Sequence, residues 1–405
     1  MNETPRANRL HIGLFGKRNA GKSSLINSMT NQEIALVSET KGTTTDPVYK
    51  SMEILPLGPV VVIDTAGIDD TGELGKLRIK KTIGVLEKTD LAIMVVDATD
   101  KNVDSEKKIL KTIKAKGIPV IGVLNKIDLK ENDSKYYEAE LGLNFISVSA
   151  KTKEGIENLK EKIAKYSKDI DYEEPSIIGD LVNRWDVIVH VTPIDEAAPK
   201  GRLILPQVQT IRDVLDYNGI NIVVQDTELK ETINMFRDKI KIVVTDSQAF
   251  GKIRDIVPKD IYLTSYSILY ARYKGDLVEL VKGAKAIKSL KNNDTILISE
   301  SCTHHRQKGD IGRDKIPKFL EELSNKKLNF KWSSGTTIPE DLSMYKMIVH
   351  CGGCMINRKQ MISRINKAKN NNIPIVNYGV FLGFKFNVLD RALELFPEAK
   401  RIWND

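Results

Sequence analysis

The sequence predicts an α/β protein made of several domains. Short apolar runs rich in Val and Ile alternate with longer helical patterns, which is typical of parallel sheets covered by helices. Polar residues follow several of these runs directly, at the position where the loops of an open α/β sheet bind ligands. The chain has 405 residues, and because a domain usually holds roughly 150 residues, we expect three domains. We place them at residues 1–170, 176–262 and 263–405.

Composition and charge narrow the class of protein. Hydrophobic residues make up 41% of the chain and charged residues 29%, which is typical of a globular protein. No apolar run approaches the roughly 18 residues needed to cross a bilayer, and the first ten residues lack an apolar signal core. We therefore expect a cytoplasmic protein without membrane contact. The net charge of +8 is spread over segments in which Lys alternates with Glu, so nucleic acid is not an expected partner.

A phosphate-binding loop is predicted near the start of the chain. An apolar run from His11 to Phe15 leads into Gly-Lys-Arg-Asn-Ala-Gly-Lys-Ser at residues 16–23, and a helical pattern follows. Glycines let such a loop wrap a pyrophosphate with its N–H groups pointing inward, and the helix N-terminus adds its dipole. Lys22 is expected to reach the β- and γ-phosphates, and the Ser23 hydroxyl to bind Mg²⁺. The predicted loop residues are Gly16, Asn19, Ala20, Gly21, Lys22, Ser23 and Ser24.

Two later segments predict that the bound base is guanine. The apolar run at residues 119–124 leads into Asn125-Lys126-Ile127-Asp128. A carboxylate at Asp128 would accept from N1–H and from the exocyclic amine of guanine, a donor pair that adenine lacks. Asn125 would hold the N7 side of the purine, and the stem of Lys126 would pack on the ring. A second predicted strand ends at Ser149, Ala150 and Lys151, whose backbone N–H groups would contact O6.

Two segments between these motifs predict a nucleotide-dependent switch that hydrolyses GTP. An apolar run ends at Asp64-Thr65-Ala66-Gly67, where Asp64 would hold Mg²⁺ through water and the Gly67 N–H would sense the γ-phosphate. Upstream, a threonine run offers a hydroxyl for the remaining Mg²⁺ position, and Thr44 is favoured over Thr43 and Thr45 by its offset. The predicted catalytic residues are Lys22, Thr44 and Gly67, and the predicted Mg²⁺ ligands are Ser23, Thr44 and Asp64.

The catalytic mechanism is expected to depart from that of Ras-like enzymes. Ile68 follows Gly67 where those enzymes carry the Gln that orients the attacking water, so we expect slow hydrolysis. The amide oxygen of Asn19, beside the phosphates, would bind a monovalent cation in the position of an arginine finger. Residues 16–24 and Gly42-Thr43-Thr44 resemble the TrmE-Era branch of GTPases. With Asn19, this resemblance implies activation by K⁺ and dimerisation through the GTPase domains.

The middle of the chain predicts a small parallel α/β domain without catalytic groups. Strands are predicted over residues 185–191, 221–224 and 241–244, with helices between them over residues 207–215 and 228–237. His190 lies within an apolar strand, where a histidine bonded inside the core is more frequent than a catalytic one. Since this domain lacks chemistry of its own, we expect it to form oligomers.

The three cysteines predict a metal site in the last domain. Strands predicted over residues 295–299, 347–349 and 373–376 end next to polar residues, which would gather at one sheet edge. The pattern is Cys302-x-His304, followed later by His350-Cys351-Gly352-Gly353-Cys354. Three thiolates and one imidazole suit either tetrahedral Zn²⁺ or a 4Fe-4S cluster with one weaker or exchangeable ligand. These residues alone leave both metals open.

The order of these motifs resembles the family of FeFe-hydrogenase maturation GTPases. The resemblance extends over the whole chain and includes Tyr-Ser-Ile-Leu-Tyr-Ala-Arg-Tyr-Lys-Gly-Asp at residues 266–276. It implies a dimerisation domain at residues 176–262 and a Rossmann-like α/β iron-sulfur cluster domain at residues 263–405. It also implies a 4Fe-4S cluster on Cys302, Cys351 and Cys354, with His304 or His350 as a candidate fourth ligand.

The same resemblance implies a scaffold and carrier. The protein, as a homodimer or a higher homo-oligomer, would accept a transient diiron subcluster precursor from radical-SAM maturases and deliver it to apo FeFe-hydrogenase. GTP with Mg²⁺ and K⁺ would act as the switch. The competing hypothesis is a GTP-dependent RNA or ribosome-assembly factor with a structural zinc site, which would share residues 1–170. An iron-sulfur assembly factor for another client is a third hypothesis, and only client specificity would separate it.

Overall fold

The structure, a computed structural model, describes most of the chain and divides it into two compact units. The described residues are 6–30, 47–55, 57–68, 81–130, 133–169, 175–194, 201, 203–301, 310–335 and 338–405. The two units are Met1–Glu173 and Glu174–Asp405. Among the described residues, no helix combines the length and the apolar composition that a membrane span requires.

The first unit contains a six-stranded sheet with the strand order β2-β3-β1-β4-β5-β6. Strand β2 pairs antiparallel with β3, and the other pairs are parallel. The strands are β1 Leu10–Phe15, β2 Val48–Ile54, β3 Gly58–Asp64, β4 Leu91–Asp97, β5 Val120–Asn125 and β6 Phe145–Val148. The helices are α1 Lys22–Thr30, α2 Asp104–Ala115, α3 Ser134–Leu141 and α4 Ile156–Asp169, and residues 81–86 are also helical.

Burial on both faces explains why the central strands of this sheet read as continuous apolar runs. Strand β4 is Leu-Ala-Ile-Met-Val-Val-Asp, and its first six residues are buried. Two separate apolar cores cover the two faces of the sheet. The strand register aligns Leu14 with Asp64, Asp97 with Asn125 and Asn125 with Val148. The predicted ligand-binding loops therefore leave the sheet at one edge.

The second unit contains two four-stranded parallel sheets. Their strand orders are β10-β9-β7-β8 and β12-β11-β13-β14. The first comprises β7 Val187–Val191, β8 Ile220–Val224, β9 Ile240–Thr245 and β10 Tyr262–Ser265, and the second comprises β11 Thr295–Glu300, β12 Asn329–Ser334, β13 Met347–His350 and β14 Ile375–Asn377. The helices are α5 Leu205–Asp216, α6 Leu229–Phe236, α7 Phe250–Ile253, α8 Tyr266–Lys274, α9 Leu277–Ala286, α10 Ile316–Ser324, α11 Arg358–Asn370, α12 Tyr378–Lys385, α13 Leu389–Ala392 and α14 Pro397–Asn404.

Side-chain caps fix the start of four helices in this unit. A side-chain oxygen at each N-cap accepts a hydrogen bond from a backbone N–H of the first turn, which satisfies a donor that the helix itself leaves unbonded. These N-caps are Ser265, Asp276, Asn357 and Asn377, which open α8, α9, α11 and α12. Three of these helices, α8, α11 and α12, begin or end beside the predicted cysteine site.

The α/β class is confirmed, as are the predicted strands and helices of the middle segment. The structure adds strands that the sequence did not predict, among them β10 and β12. Strand β10 crosses the predicted boundary at residue 262 and completes the first sheet of the second unit. Buried residues of both sheets form one continuous apolar core. The division of the chain into three domains stays a prediction.

Candidate functional site

The phosphate-binding loop lies between β1 and α1 and needs glycine at two points. Gly16 has φ +157°, and a Cβ there would lie 2.1 Å from the carbonyl oxygen of Val95. Gly21 has φ +88°, and a Cβ there would lie 2.2 Å from Nδ2 of Asn125. Both contacts are far closer than atoms can approach. The loop is therefore packed directly against β4 and the end of β5.

The Lys22 side chain is held inside the curl of this loop. Its Nζ donates to the carbonyl oxygens of Gly16 at 2.9 Å and Lys17 at 2.7 Å, and the residue is buried. Asn19 has φ +60°, a left-handed conformation that Asn tolerates better than most residues. A buried ammonium in a loop that opens a helix is an anion-binding arrangement.

Two predicted Mg²⁺ ligands lie in direct contact. The Ser23 hydroxyl donates to Oδ2 of Asp64 at 2.5 Å, which joins the first turn of α1 to the end of β3. Hydroxyl and carboxylate oxygens at this distance fit the hard oxygen ligands that Mg²⁺ prefers. Gly67 follows in the loop after β3. Thr44, with Thr43 and Thr45, lies outside the described residues.

Asn125 joins the phosphate loop to the two predicted base-binding loops. Its Nδ2 donates to the Ala20 carbonyl at 2.9 Å, and its Oδ1 accepts from the Ala150 N–H at 3.1 Å. Nearby, the Ser149 hydroxyl donates to Asp128 at 2.7 Å. The structure therefore brings the predicted phosphate and guanine residues together at one sheet edge.

Lys126 makes an ion pair that sequence reasoning missed. It has φ +69°, and its Nζ lies 2.6 Å from Oδ2 of Asp97, the last residue of β4. Burial alone would raise the pKa of Asp97, but hydrogen bonds from Lys126 and Thr99 lower it below its ordinary value. This pair fixes the stem of Lys126 beside the predicted base site. Asp97 ends a buried strand, as Asp64 does, and that position is the signal that would have found it.

A second ion pair that the sequence did not predict ties the phosphate loop to the chain after β4. Lys17 donates to Asp100 at 3.0 Å and lies 3.9 Å from the buried carboxylate of Glu106. Burial raises the pKa of Glu106.

Ile68, which follows Gly67, packs as a partly buried residue against the apolar core. Its apolar side chain offers no group that could orient the attacking water.

The cysteine pair lies where β13 reaches the edge of the last sheet. The register aligns Ser299 with His350 and His350 with Asn377, so three strands end together. The Cys351 N–H donates to the Ser299 carbonyl at 2.9 Å, and the Ser301 N–H donates to the Cys351 sulfur at 3.1 Å. Cys302, His304 and His305 come next along the chain and lie outside the described residues.

The residues described here fit the sulfur chemistry of an iron-sulfur cluster. Cys351 and Cys354 are thiols of intermediate exposure, and Gly353 between them has φ +66°. The Ser301 N–H donates to the Cys351 sulfur. In iron-sulfur proteins, such hydrogen bonds to cysteine sulfurs help to set the reduction potential of the cluster. Burial and the neighbouring Cys351 raise the pKa of the Cys354 thiol, and Lys274 acts in the opposite direction. Among the described residues, no group of three or more His, Cys, Asp or Glu side chains is placed to hold a metal ion.

Both ring nitrogens of His350 form hydrogen bonds within the protein, which leaves neither of them available to a metal in this structure. It is fully buried, and its Nδ1 lies 2.6 Å from the Cys351 carbonyl oxygen, which makes Nδ1 the protonated nitrogen. Its Nε2 accepts from the Arg364 guanidinium at 2.6 Å and lies 3.4 Å from the Ser301 hydroxyl. A metal ligand needs a free lone pair, and the one on Nε2 is directed at Arg364. No sequence pattern connects Arg364 with this histidine.

His190 lies in the core of the middle sheet. It is fully buried, its Nε2 donates to Asn221 Oδ1 at 2.6 Å, and its Nδ1 accepts from the Tyr266 hydroxyl at 3.2 Å. Burial lowers its pKa to about 4. With both nitrogens bonded, His190 is the satisfied core histidine that its strand position indicated.

The first unit belongs to the P-loop GTPase class. The profile described as 50S ribosome-binding GTPase matches residues 11–126. GTPase Der of Wolinella succinogenes is 36% identical over 180 residues, which cover 42% of this chain and 38% of that protein. The tRNA modification GTPase MnmE of Chromobacterium violaceum is 35% identical over 155 residues, 38% of this chain and 34% of that protein. The G domain of the T. maritima FeoB iron transporter has a TM-score of 0.31 at 26% identity and covers 40% of this chain and 99% of that chain.

The second unit matches a more specific family. The profile of the Hydrogen maturase F dimerization domain matches residues 177–275, and that of the Hydrogen maturase F tetramerization domain matches residues 278–395. The chain therefore belongs to the Hydrogen maturase F family. The two descriptions support the predicted homo-oligomer. The chain spans less than half the length of the curated GTPases named above.

Proposed function

We propose that this protein is a GTP-hydrolysing iron-sulfur scaffold that assembles or carries the diiron subcluster precursor and delivers it to apo FeFe-hydrogenase. The observation that carries the proposal is the pair of thiols at the carboxyl edge of a parallel sheet, in a Hydrogen maturase F chain that begins with a P-loop GTPase domain. Radical-SAM maturases of the same pathway would supply the precursor. GTP would act as the switch that changes contacts with these partners.

The hydrolytic part of the proposal assigns a role to each residue of the nucleotide site. Lys22 would bind the β- and γ-phosphates, and Ser23, Asp64 and Thr44 would hold Mg²⁺ directly or through water. The Ser23–Asp64 contact supports this assignment. K⁺ would bind beside Asn19 and supply the positive charge that an arginine finger supplies elsewhere. Because Ile68 packs on the core, we expect the unassisted rate to be slow.

The cluster part of the proposal assigns Cys302, Cys351 and Cys354 to a 4Fe-4S cluster. A cubane held by three cysteines leaves one iron for a weaker ligand or for an incoming precursor, which suits a carrier. Both nitrogens of His350 are bonded within the protein. We therefore favour His304 over His350 as the fourth ligand.

The oligomeric part of the proposal assigns the dimer contact to β8. In the described part of the chain, β8 forms one end of the middle sheet. Ile220 and Val223 of this strand are 39% and 45% exposed, and Val208 and Leu215 of the adjoining helix α5 are 40% and 54% exposed. An apolar strand at the end of a sheet is a template for pairing with a second chain. We propose that two copies pair along β8.

One experiment tests the cluster and separates the two main hypotheses. Anaerobically purified protein is reduced with dithionite for EPR, and iron, sulfide and zinc are quantified on the same sample. A reduced 4Fe-4S signal that is lost in Cys302→Ser and kept in Lys22→Ala supports the scaffold. EPR silence with stoichiometric zinc would instead support an RNA or ribosome-assembly GTPase with a zinc site, and salt-dependent RNA binding would then be measured.

A further inference from the structure

We propose that Lys274 is a positioning residue that holds the cysteine loop, residues 351–357, and places a buried positive charge behind it. The inference concerns the last residue of helix α8, whose sequence Tyr-Ser-Ile-Leu-Tyr-Ala-Arg-Tyr-Lys has no part in the nucleotide site. It rests on the proposed function to the extent that the charge acts on a cluster. The loop tether can be tested without one.

Helix α8 is fixed in the protein at its start and in its middle. Seven of its nine residues are buried, so it is packed on nearly every side. The Tyr266 hydroxyl donates to His190 in β7, and the Tyr270 hydroxyl donates to Gln209 in α5. Such a helix has little freedom to shift or turn. Its last residue, Lys274, therefore has a defined position.

The Lys274 ammonium reaches the cysteine loop with two hydrogen bonds. Lys274 is 2% exposed, and its Nζ donates to the carbonyl oxygens of Cys354 at 3.1 Å and Ile356 at 3.0 Å. The same nitrogen lies 5.5 Å from the centre of the Tyr270 ring, within the range of a cation–π contact. Hydrogen bonds from a charged donor are about twice as strong as neutral ones. These bonds attach the backbone of the cysteine loop, at Cys354 and Ile356, to the end of α8.

A second basic side chain crosses in the opposite direction. Arg358, the first residue of α11, directly follows the cysteine loop, and its Nη1 donates to the carbonyl oxygens of Tyr273 at 2.6 Å and Gly275 at 3.2 Å. The end of α8 thus binds the loop through Lys274, and the residue after the loop binds the end of α8. Reciprocal contacts of this kind fix both the position and the orientation of the loop.

A buried ammonium next to the loop also has an electrostatic consequence. Thiolate ligands leave an iron-sulfur cluster with net negative charge, and reduction adds a further electron, so a nearby cation stabilises the reduced form more than the oxidised form. Lys274 should therefore raise the reduction potential of a cluster bound to Cys354. If Lys274 only held the loop in place, its replacement would destabilise the loop but leave the potential unchanged.

The test compares Lys274→Met with the wild-type protein and with a matched control, Lys346→Met. Methionine keeps the length of the side chain but removes its charge and its donors. Lys346 is exposed and immediately precedes β13, at the end of the strand opposite to the cysteines. The readouts are the midpoint potential from an EPR-monitored redox titration, the rate of iron loss to a chelator, and hydrogen exchange of residues 353–357 in the metal-free protein.

In Lys274→Met we expect a more negative midpoint potential and roughly 10- to 100-fold faster iron loss, the usual effect of removing a group that supports a metal ligand. We also expect faster exchange in the loop, while GTP hydrolysis and the control variant stay at the wild-type level. A wild-type potential with wild-type loop protection in Lys274→Met would overturn the inference. If the wild-type protein itself holds no iron-sulfur cluster, the proposed function fails, and the exchange of the metal-free loop still decides whether Lys274 tethers it.

A charge-retaining variant covers the case in which Lys274→Met does not fold. Lys274→Arg keeps the positive charge but changes the geometry of its hydrogen bonds. We expect its potential to stay near that of the wild type, even if iron is lost faster. A potential in Lys274→Arg that is clearly more negative than that of the wild type would contradict the electrostatic role.

Discussion

Replacement of Asn125 by Ala should weaken binding of GDP and GTP by roughly 5- to 150-fold. The side chain of Asn125 is almost fully buried, and its two hydrogen bonds join the loop at Ala20 to the loop at Ala150. Each bond contributes about 1 kcal/mol net, within roughly 0.5–1.5 kcal/mol. Losing both therefore costs about 1–3 kcal/mol of the free energy that holds the two loops in the binding conformation, and nucleotide binding becomes weaker by that amount. With a tenfold change in affinity for each 1.4 kcal/mol, this gives the stated range.

The assay is a fluorescence titration of the nucleotide-free protein with a labelled guanine nucleotide, repeated with an adenine nucleotide. Because Asp128 and its bond from Ser149 remain in place, the preference for guanine should persist in Asn125→Ala even as the affinity falls. Asn144→Ala is the matched control, since Asn144 is exposed and immediately precedes β6, away from the nucleotide edge. An affinity within twofold of the wild type, or an equal loss in the control, would refute the reasoning.

Four further predictions follow from the described contacts. Lys22→Ala should abolish GTP hydrolysis but leave iron content unchanged, and loss of iron in that variant would show that the two sites are not separable. Asn19→Ala should remove stimulation of hydrolysis by K⁺ relative to Na⁺, and persisting stimulation would place the cation elsewhere. Val223→Lys should shift the protein toward monomers in light scattering because it places a charge on β8, whereas Tyr262→Lys, on β10 at the other end of the sheet, should not. Burial lowers the pKa of His190 from 6.5 to about 4. The contribution of neutral His190 to the free energy of unfolding is therefore complete above pH 6.5 and falls by up to about 3 kcal/mol as the pH drops toward 4. His190→Gln should flatten this part of the pH dependence of unfolding, and an unchanged slope would refute the assignment.

The grouping of the predicted nucleotide residues at one sheet edge was predictable from the sequence because their motifs are local. Each motif directly follows an apolar strand, and parallel strands bring their carboxyl ends together. The Ser23–Asp64 and Asn125–Ala20 contacts follow from that geometry. The ion pairs of Lys17 and Lys126 were missed because their acidic partners, Asp100 and Asp97, lie just after and at the end of β4, a strand that carries no nucleotide motif.

The second unit was less predictable, and the reason is physical. Strand β12 is Asn-Phe-Lys-Trp-Ser-Ser and forms one end of its sheet, where partial exposure allows polar residues and weakens the apolar pattern. Strand β10 has only four residues, too few for a periodic signal. The role of His350 could not be predicted either, because it is set by Arg364, a residue on a helix that the strand pattern does not reveal.

The most direct test of the central claim is a transfer measurement. Protein loaded by the radical-SAM maturases is purified, mixed with apo FeFe-hydrogenase, and hydrogen evolution is followed, with Cys351→Ser carried through the same steps. We predict that loaded wild-type protein activates the hydrogenase and that the variant does not. Equal activation by Cys351→Ser, or activation by the maturases without this protein, would contradict its assignment as the scaffold that carries the diiron precursor.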